Sequence, residues 1–177
     1  MNLNQLIQKC KLQDRAAQKQ LYLSYADLVM TVARRYSDEV PESKDIVQNT
    51  FIRVFTALEK YDSNAGEFKS WIARICINEA IAIKRKKKRI TFVENDVNIN
   101  DQVADNEAIG KLKGEEIKAV MKSLDSGYQL IMQMYYYDEL TTKEIAETLQ
   151  LKESSVRSKL SRARQKFINH WKMSNSL

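Results

Sequence analysis

The chain has 177 residues, 44% hydrophobic and 29% charged. That is enough for one ordinary domain or two small ones, and it does not read as disordered. Four glycines and one proline exclude turn-rich β-sandwiches and Pro-rich linkers, while 29 Lys and Arg against 23 acids leave a net +6 that points to an anionic partner, nucleic acid or membrane.

Cys10 and Cys76 are isolated thiols without CxxC spacing, and His170 is the single histidine. A disulfide framework, a zinc site and histidine catalysis are not expected, and a reducing, cytoplasmic compartment fits. Met1–Lys19 is too polar for a secretory signal. No run approaches 18 uninterrupted apolar residues, so membrane insertion is not expected. No metal, cofactor or catalytic residue is expected.

In chain order, Leu3, Leu6, Ile7 and Cys10 fall at helical spacing. Asp14 is placed to cap a second helix running to about Tyr36. A break over Asp38 to Pro41 precedes a third helix, with Val47, Phe51, Val54, Phe55 and Leu58 on one face. Asp62-Ser63-Asn64-Ala65-Gly66 is a turn cluster. A fourth helix follows, its expected buried stripe being Phe68, Trp71, Ile72 and Ile75. It ends in six consecutive bases, Lys84 to Arg89. Its other face carries Arg74, Asn78, Ala82 and Arg85 in one line.

That basic run is either a solvated helix end, favoured by the backbone dipole, or a phosphate-binding surface. A membrane-surface helix would need the apolar face that this lobe needs for its core. Asn78 can donate and accept at a base edge, or simply be solvated.

Charge is distributed in blocks. Residues 1–89 carry 17 bases and 10 acids, 90–127 carry 4 and 8, and 128–177 carry 8 and 5. Ile90 to Gly110 holds five acids, four Asn and no base, without a helical stripe. This is the composition of a linker. The expected layout is all-α, with two small helical domains, 1–89 and 113–177, joined by a flexible acidic linker, 90–112.

In the second lobe, Ile117, Val120, Met121 and Leu124 mark a helix that Asp125-Ser126-Gly127 is expected to stop. Tyr128 to Tyr137 is apolar nearly all round, as in a helix that is buried or covered by a partner. Thr142–Leu149, the turn Gln150-Leu151-Lys152, and a helix from Glu153 to about Phe167 make a helix-turn-helix pattern. Ala146 permits close crossing. Val156, Leu160 and Ala163 point inward. Ser154, Arg157, Ser158, Ser161 and Arg162 form the outer face, a basic and hydroxylic surface suited to phosphates and base edges.

Along nearly its whole length the sequence resembles the extracytoplasmic-function (ECF) group of sigma-70-family sigma factors. Asp45-Ile46-Val47-Gln48-Asn49-Thr50-Phe51 is similar to the family's region 2.2. Phe68 to Ile75, followed by Asn78, is similar to regions 2.3 and 2.4. Glu144-Ile145-Ala146 with Ser155 to Arg164 is similar to region 4.

The resemblance implies a non-catalytic factor that binds core RNA polymerase, recognises −10 and −35 promoter elements and assists strand opening. Asp45, Gln48, Asn49 and Ile52 would meet the β′ clamp helices, and Tyr128–Tyr137 the β flap. Asp62, Ser63 and Asn64 would lie in the loop that captures a flipped base. Arg74, Asn78, Lys84, Arg85 and Lys88 would contact the −10 element. Ser154, Arg157, Ser158, Ser161 and Arg162 would face the −35 element. An anti-sigma factor is an implied partner. Asn49 and Ala82 depart from the family, which often has an acid at the first and a polar side chain at the second. The linker would thread near the active site of the polymerase. The rival readings are a stand-alone helix-turn-helix regulator and, with no P-loop or metal-spaced acids to support it, a nucleic-acid enzyme.

Overall fold

The structure, a computed structural model, describes residues 2–64, 66–87, 90 and 114–174. Among them are eight α-helices, one short 3₁₀ helix and no strand. The chain divides into two compact units, Met1–Lys86 and Lys87–Leu177. The acidic segment predicted as a linker lies outside the described residues except for Ile90, and so does Lys88.

The first unit begins with α1 (Leu3–Lys11) and α2 (Arg15–Tyr36). A capping box starts α1: Asn2 Oδ1 accepts from the Gln5 N–H at 2.9 Å, and Gln5 Oε1 accepts from the Asn2 N–H at 3.1 Å. Asp14 caps α2 as expected, accepting from the N–H groups of Ala16 and Ala17 at 2.9 and 3.0 Å. The break after α2 is shorter than predicted. Pro41 lies inside the first turn of α3 (Val40–Ala57), where a missing N–H costs nothing.

Leu58 belongs to a 3₁₀ turn (Leu58–Lys60) and is buried there. The fourth helix, α4, spans Phe68–Lys86 and packs on both α2 and α3. Two neighbours bury a wider arc than one stripe. Cys76, Ile77, Ala80 and Ile81 therefore join Phe68 and Ile72 in the core, while Trp71 and Ile75 are only half-buried. Leu21, Val29, Ala33, Ile46, Phe51 and Val54 supply the facing surface.

The α2–α3 corner is polar but satisfied. Glu42 is buried and accepts from the Asp38 N–H at 3.2 Å, and the Ser37 and Ser43 hydroxyls lie 2.6 Å apart.

The second unit contains α5 (Gly114–Ser123), α6 (Ser126–Tyr136), α7 (Thr142–Leu149) and α8 (Glu153–Ser174). Ser126 and Gly127 do not stop a helix. They open α6, and the break is only Leu124-Asp125. Helices α7 and α8 both pack on α6, burying Tyr128, Leu130, Ile131, Met132 and Met134. Its far end emerges, with Tyr136 40% and Tyr137 68% exposed.

Helix α8 runs a further seven residues past the predicted end at Phe167. Phe167 and Ile168 are buried. Lys166 Nζ lies 3.3 Å from Asp125 Oδ2 and 4.9 Å from the centre of the Tyr128 ring. His170 Nδ1 and the Ser123 hydroxyl are 2.6 Å apart. These contacts tie the helix end back to α5 and α6. Among the described residues no helix is long and apolar enough to cross a membrane, and no group of three or more His, Cys, Asp or Glu side chains could hold a metal ion.

Candidate nucleic-acid interface

Two polar faces stand out, one in each unit. On α4, Arg74, Asn78 and Ala82 are exposed and Arg85 is half-buried. At 1.5 Å rise per residue they span about 16 Å of helix. Their spacing puts them on the side away from Ile72, Cys76 and Ala80, so the core itself orients them.

Beside this stripe lies the turn predicted from Asp62 to Gly66. Asp62 Oδ1 accepts from the Asn64 N–H at 2.9 Å, and the Tyr61 hydroxyl donates to the Gly66 carbonyl at 3.1 Å. Gly66 adopts φ +154°, a region that residues with a Cβ rarely enter. Asp62, Ser63 and Asn64 are exposed. The turn sits against an aromatic cluster: Tyr61 is 5.1 Å from Phe68 and 5.3 Å from Trp71, centre to centre. Phe68 is core, as expected, but Trp71 keeps part of its surface beside the turn.

The basic end of α4 is not uniform. Lys84 Nζ lies 3.8 Å from Asp38 Oδ1, and its side chain is only 18% exposed. It braces the α2–α3 corner in the free protein. Lys86 and Lys87 are exposed. The sequence offered no sign of this division, because Asp38 and Lys84 are 46 residues apart. A second tie, Arg53 Nε to Glu79 Oε1 at 3.1 Å, joins α3 to α4.

On α3, Asp45, Gln48, Asn49 and Ile52 are all exposed, as the predicted partner-binding face requires. Gln48 and Ile52 also border a shallow groove between α2 and α3. Tyr22, Met30, Phe51 and Phe55 form much of its apolar lining. Tyr22 and Phe51 are 4.6 Å apart, centre to centre. The groove depends on pairing two helices and is invisible in either one alone.

In the second unit, Thr141 and Glu144 form a capping box at the start of α7. The Thr141 N–H donates to Glu144 Oε2 at 2.8 Å, and Thr141 Oγ1 accepts from the Glu144 N–H at 3.2 Å. Gln150 closes α7 in the left-handed region, φ 56° and ψ 42°. The Leu151 N–H then returns to the Ala146 carbonyl at 2.9 Å. This is the sharp turn that glycine usually serves, made here by glutamine. The Thr142 hydroxyl donates to Glu153 Oε1 at 2.8 Å, linking the starts of α7 and α8.

Val156, Leu160 and Ala163 are buried, so the opposite face of α8 turns outward. Ser154, Arg157 and Ser158 are exposed; Ser161 and Arg162 are half-buried. Arg157 lies 3.7 Å from Glu153, an exposed pair of little energetic weight. Sequence reasoning missed Arg164. Its Nε donates to the Tyr136 hydroxyl at 2.7 Å, a contact across 28 residues that only folding reveals.

Two compact helical units, one of them a helix-turn-helix, with polar faces directed outward, define a DNA-handling protein. The family comparisons agree and are specific. Residues 21–90 match Sigma-70 region 2, and residues 114–167 match Sigma-70, region 4. The chain belongs to the sigma-70 family and is an ECF-type sigma factor, a protein that directs promoter-specific transcription initiation.

It is 27% identical to the ECF RNA polymerase sigma factor SigW of Bacillus subtilis, over 93% of this chain and 94% of that one. It is 29% identical to the ECF sigma factor SigE of Mycolicibacterium smegmatis, over 85% of this chain and 60% of that one. Among solved structures the fold is shared with CnrH, in complex with the cytosolic domain of CnrY. That match has a TM-score of 0.51 and 21% identity, over 93% of both chains. It is shared also with RpoE of Bartonella quintana, bound to the anti-sigma factor NepR. There the TM-score is 0.51 and the identity 19%, over 84% of this chain and 92% of that one.

Proposed function

We propose that the two units divide promoter recognition between them. The first, residues 1–89, takes the −10 element and the second, residues 113–177, the −35 element, with residues 90–112 as the tether. Asp62, Ser63 and Asn64 receive a flipped base of the −10 element. Taking a base from the stack costs a few kcal/mol, which contacts in the pocket must offset. Arg74, Asn78 and Arg85 line the path of that strand, with Lys84 and Lys88 at its phosphates. Lys84 must leave Asp38 to reach one. Ser154, Arg157, Ser158, Ser161 and Arg162 meet the −35 duplex. The observation that carries this reading is the pair of outward polar faces on α4 and α8, each in a unit matching a sigma-70 region.

The protein works on core RNA polymerase. Asp45, Gln48, Asn49 and Ile52 dock on the β′ clamp helices. The β flap is met by the emergent end of α6 around Tyr137, a smaller surface than the whole Tyr128–Tyr137 segment, because most of that helix is core and Tyr136 is turned to Arg164. The polymerase performs the chemistry, and this chain performs none. Its workplace is the cytoplasm. An anti-sigma factor restrains it, a partner class that the solved relatives support.

The test is run-off transcription with core polymerase on a random promoter library, beside gel shifts of the purified chain with and without core. A factor of this kind yields defined start sites and binds promoter DNA specifically only with core. Specific binding by the chain alone, with no redirected starts, favours the stand-alone regulator.

A further inference from the structure

Arg164 is not among the residues predicted to read the −35 element, yet its guanidinium is held more firmly than those of Arg157 and Arg162. Its Nε donates to the Tyr136 hydroxyl at 2.7 Å. Its central carbon lies 5.2 Å from the centre of the Tyr135 ring and 5.6 Å from that of Tyr136. The two rings meet edge to face, 5.0 Å apart. Three contacts from the end of α6 therefore fix the plane of the fork. Its terminal amino groups have no carboxylate or hydrogen-bond partner among the described residues, although Asp138 and Glu139 follow close by in sequence.

A guanidinium has donors only, so what completes it is an acceptor, best an anionic one with two oxygens. The position selects which. Arg164 follows Arg157 by seven residues, two turns along the same flank of α8 and about 10 Å further on. The Tyr136 hydroxyl, accepting from Nε, keeps its own proton to donate. Lys166, by contrast, is committed to Asp125 and the Tyr128 ring.

We propose that Arg164 and Tyr136 form a preorganised clamp for a DNA backbone phosphate flanking the −35 element. The proposal rests on α8 being the −35 reader. The clamp carries no sequence information. It sets the register in which Arg157, Ser158 and Arg162 meet the bases.

The experiment uses holoenzyme, assembled from core polymerase and the full chain. The probe is a duplex promoter recovered by that holoenzyme from a random library. Binding is measured over a salt series, on intact and scrambled −35 sequences. Arg164→Gln is expected to flatten the dependence of log K on log salt by about 0.9, the value for one phosphate, with base preference unchanged. Tyr136→Phe keeps both rings and the charge but removes the orienting hydroxyl. It is expected to weaken binding severalfold at an unchanged slope, and it carries the test if Arg164→Gln does not fold.

An unaltered slope in folded Arg164→Gln overturns the clamp, as does unaltered binding by Tyr136→Phe at every salt concentration. A loss of affinity for core polymerase, with the DNA slope intact, overturns it in favour of a protein contact. Wild-type holoenzyme that cannot tell intact from scrambled −35 sequence removes the underlying reading of α8 as well.

Discussion

Asn78 sits in the middle of the exposed α4 stripe, two turns from Arg85 and one from Arg74. An amide both donates and accepts, so its loss changes a preference rather than a charge. Asn78→Ala is expected to alter which base is preferred in the −10 element and to leave core binding intact. Transcription from a set of −10 variants reads this out, and an identical ranking before and after removes Asn78 from the site. Cys10 makes a different residue-scale case. It is 1% exposed, and burial, with Asp14 adding, pushes its thiol up. The unfolded chain ionises this thiol first. The stabilising effect is therefore complete below the ordinary thiol range and lost as pH rises through the folded value. Urea midpoints of the wild type should fall more steeply in mild alkali than those of Cys10→Ala. Parallel profiles would exclude this contribution.

At the scale of elements, the helix-turn-helix is held by devices that short stretches of sequence can encode. Thr141 and Glu144 start α7, and Val156, Leu160 and Ala163 hold α8 inward. Its weak point is Gln150, a non-glycine residue in the left-handed region. That conformation costs a side-chain-bearing residue about 1–2 kcal/mol, part of which glycine loses again as chain entropy. Gln150→Gly should stabilise the second unit by about 0.5–1 kcal/mol. The melting transition of that unit measures it, and a lower midpoint would mean the glutamine side chain contributes a contact of its own.

At the scale of the whole molecule, two basic units meet one polyanion, and salt becomes the main experimental handle. Arg85 and Lys86 close α4 and Lys87 follows it, beside Lys84 with its contact to Asp38. Replacing Arg85, Lys86 and Lys87 with Gln should flatten the salt dependence of holoenzyme binding by about 2, at roughly 0.7 per phosphate of a single strand. An unchanged slope would make this helix end a solvated one.

Helix periodicity, the Asp14 cap, the helix-turn-helix and the outward faces of α3, α4 and α8 were all determined by the sequence itself. Each depends on residues within a few turns of one another, where spacing dictates direction. Region-type motifs in a fixed order identified the family for the same reason. Tertiary structure decided the rest. It widened the buried arc of α4, drew Pro41 and Gly127 into helices, carried α8 on to Ser174, and set Lys84 on Asp38 and Arg164 on Tyr136. These outcomes depend on which helix packs against which. A side chain's partner across 28 or 46 residues is fixed by the packing of whole elements, and local pattern carries no record of it.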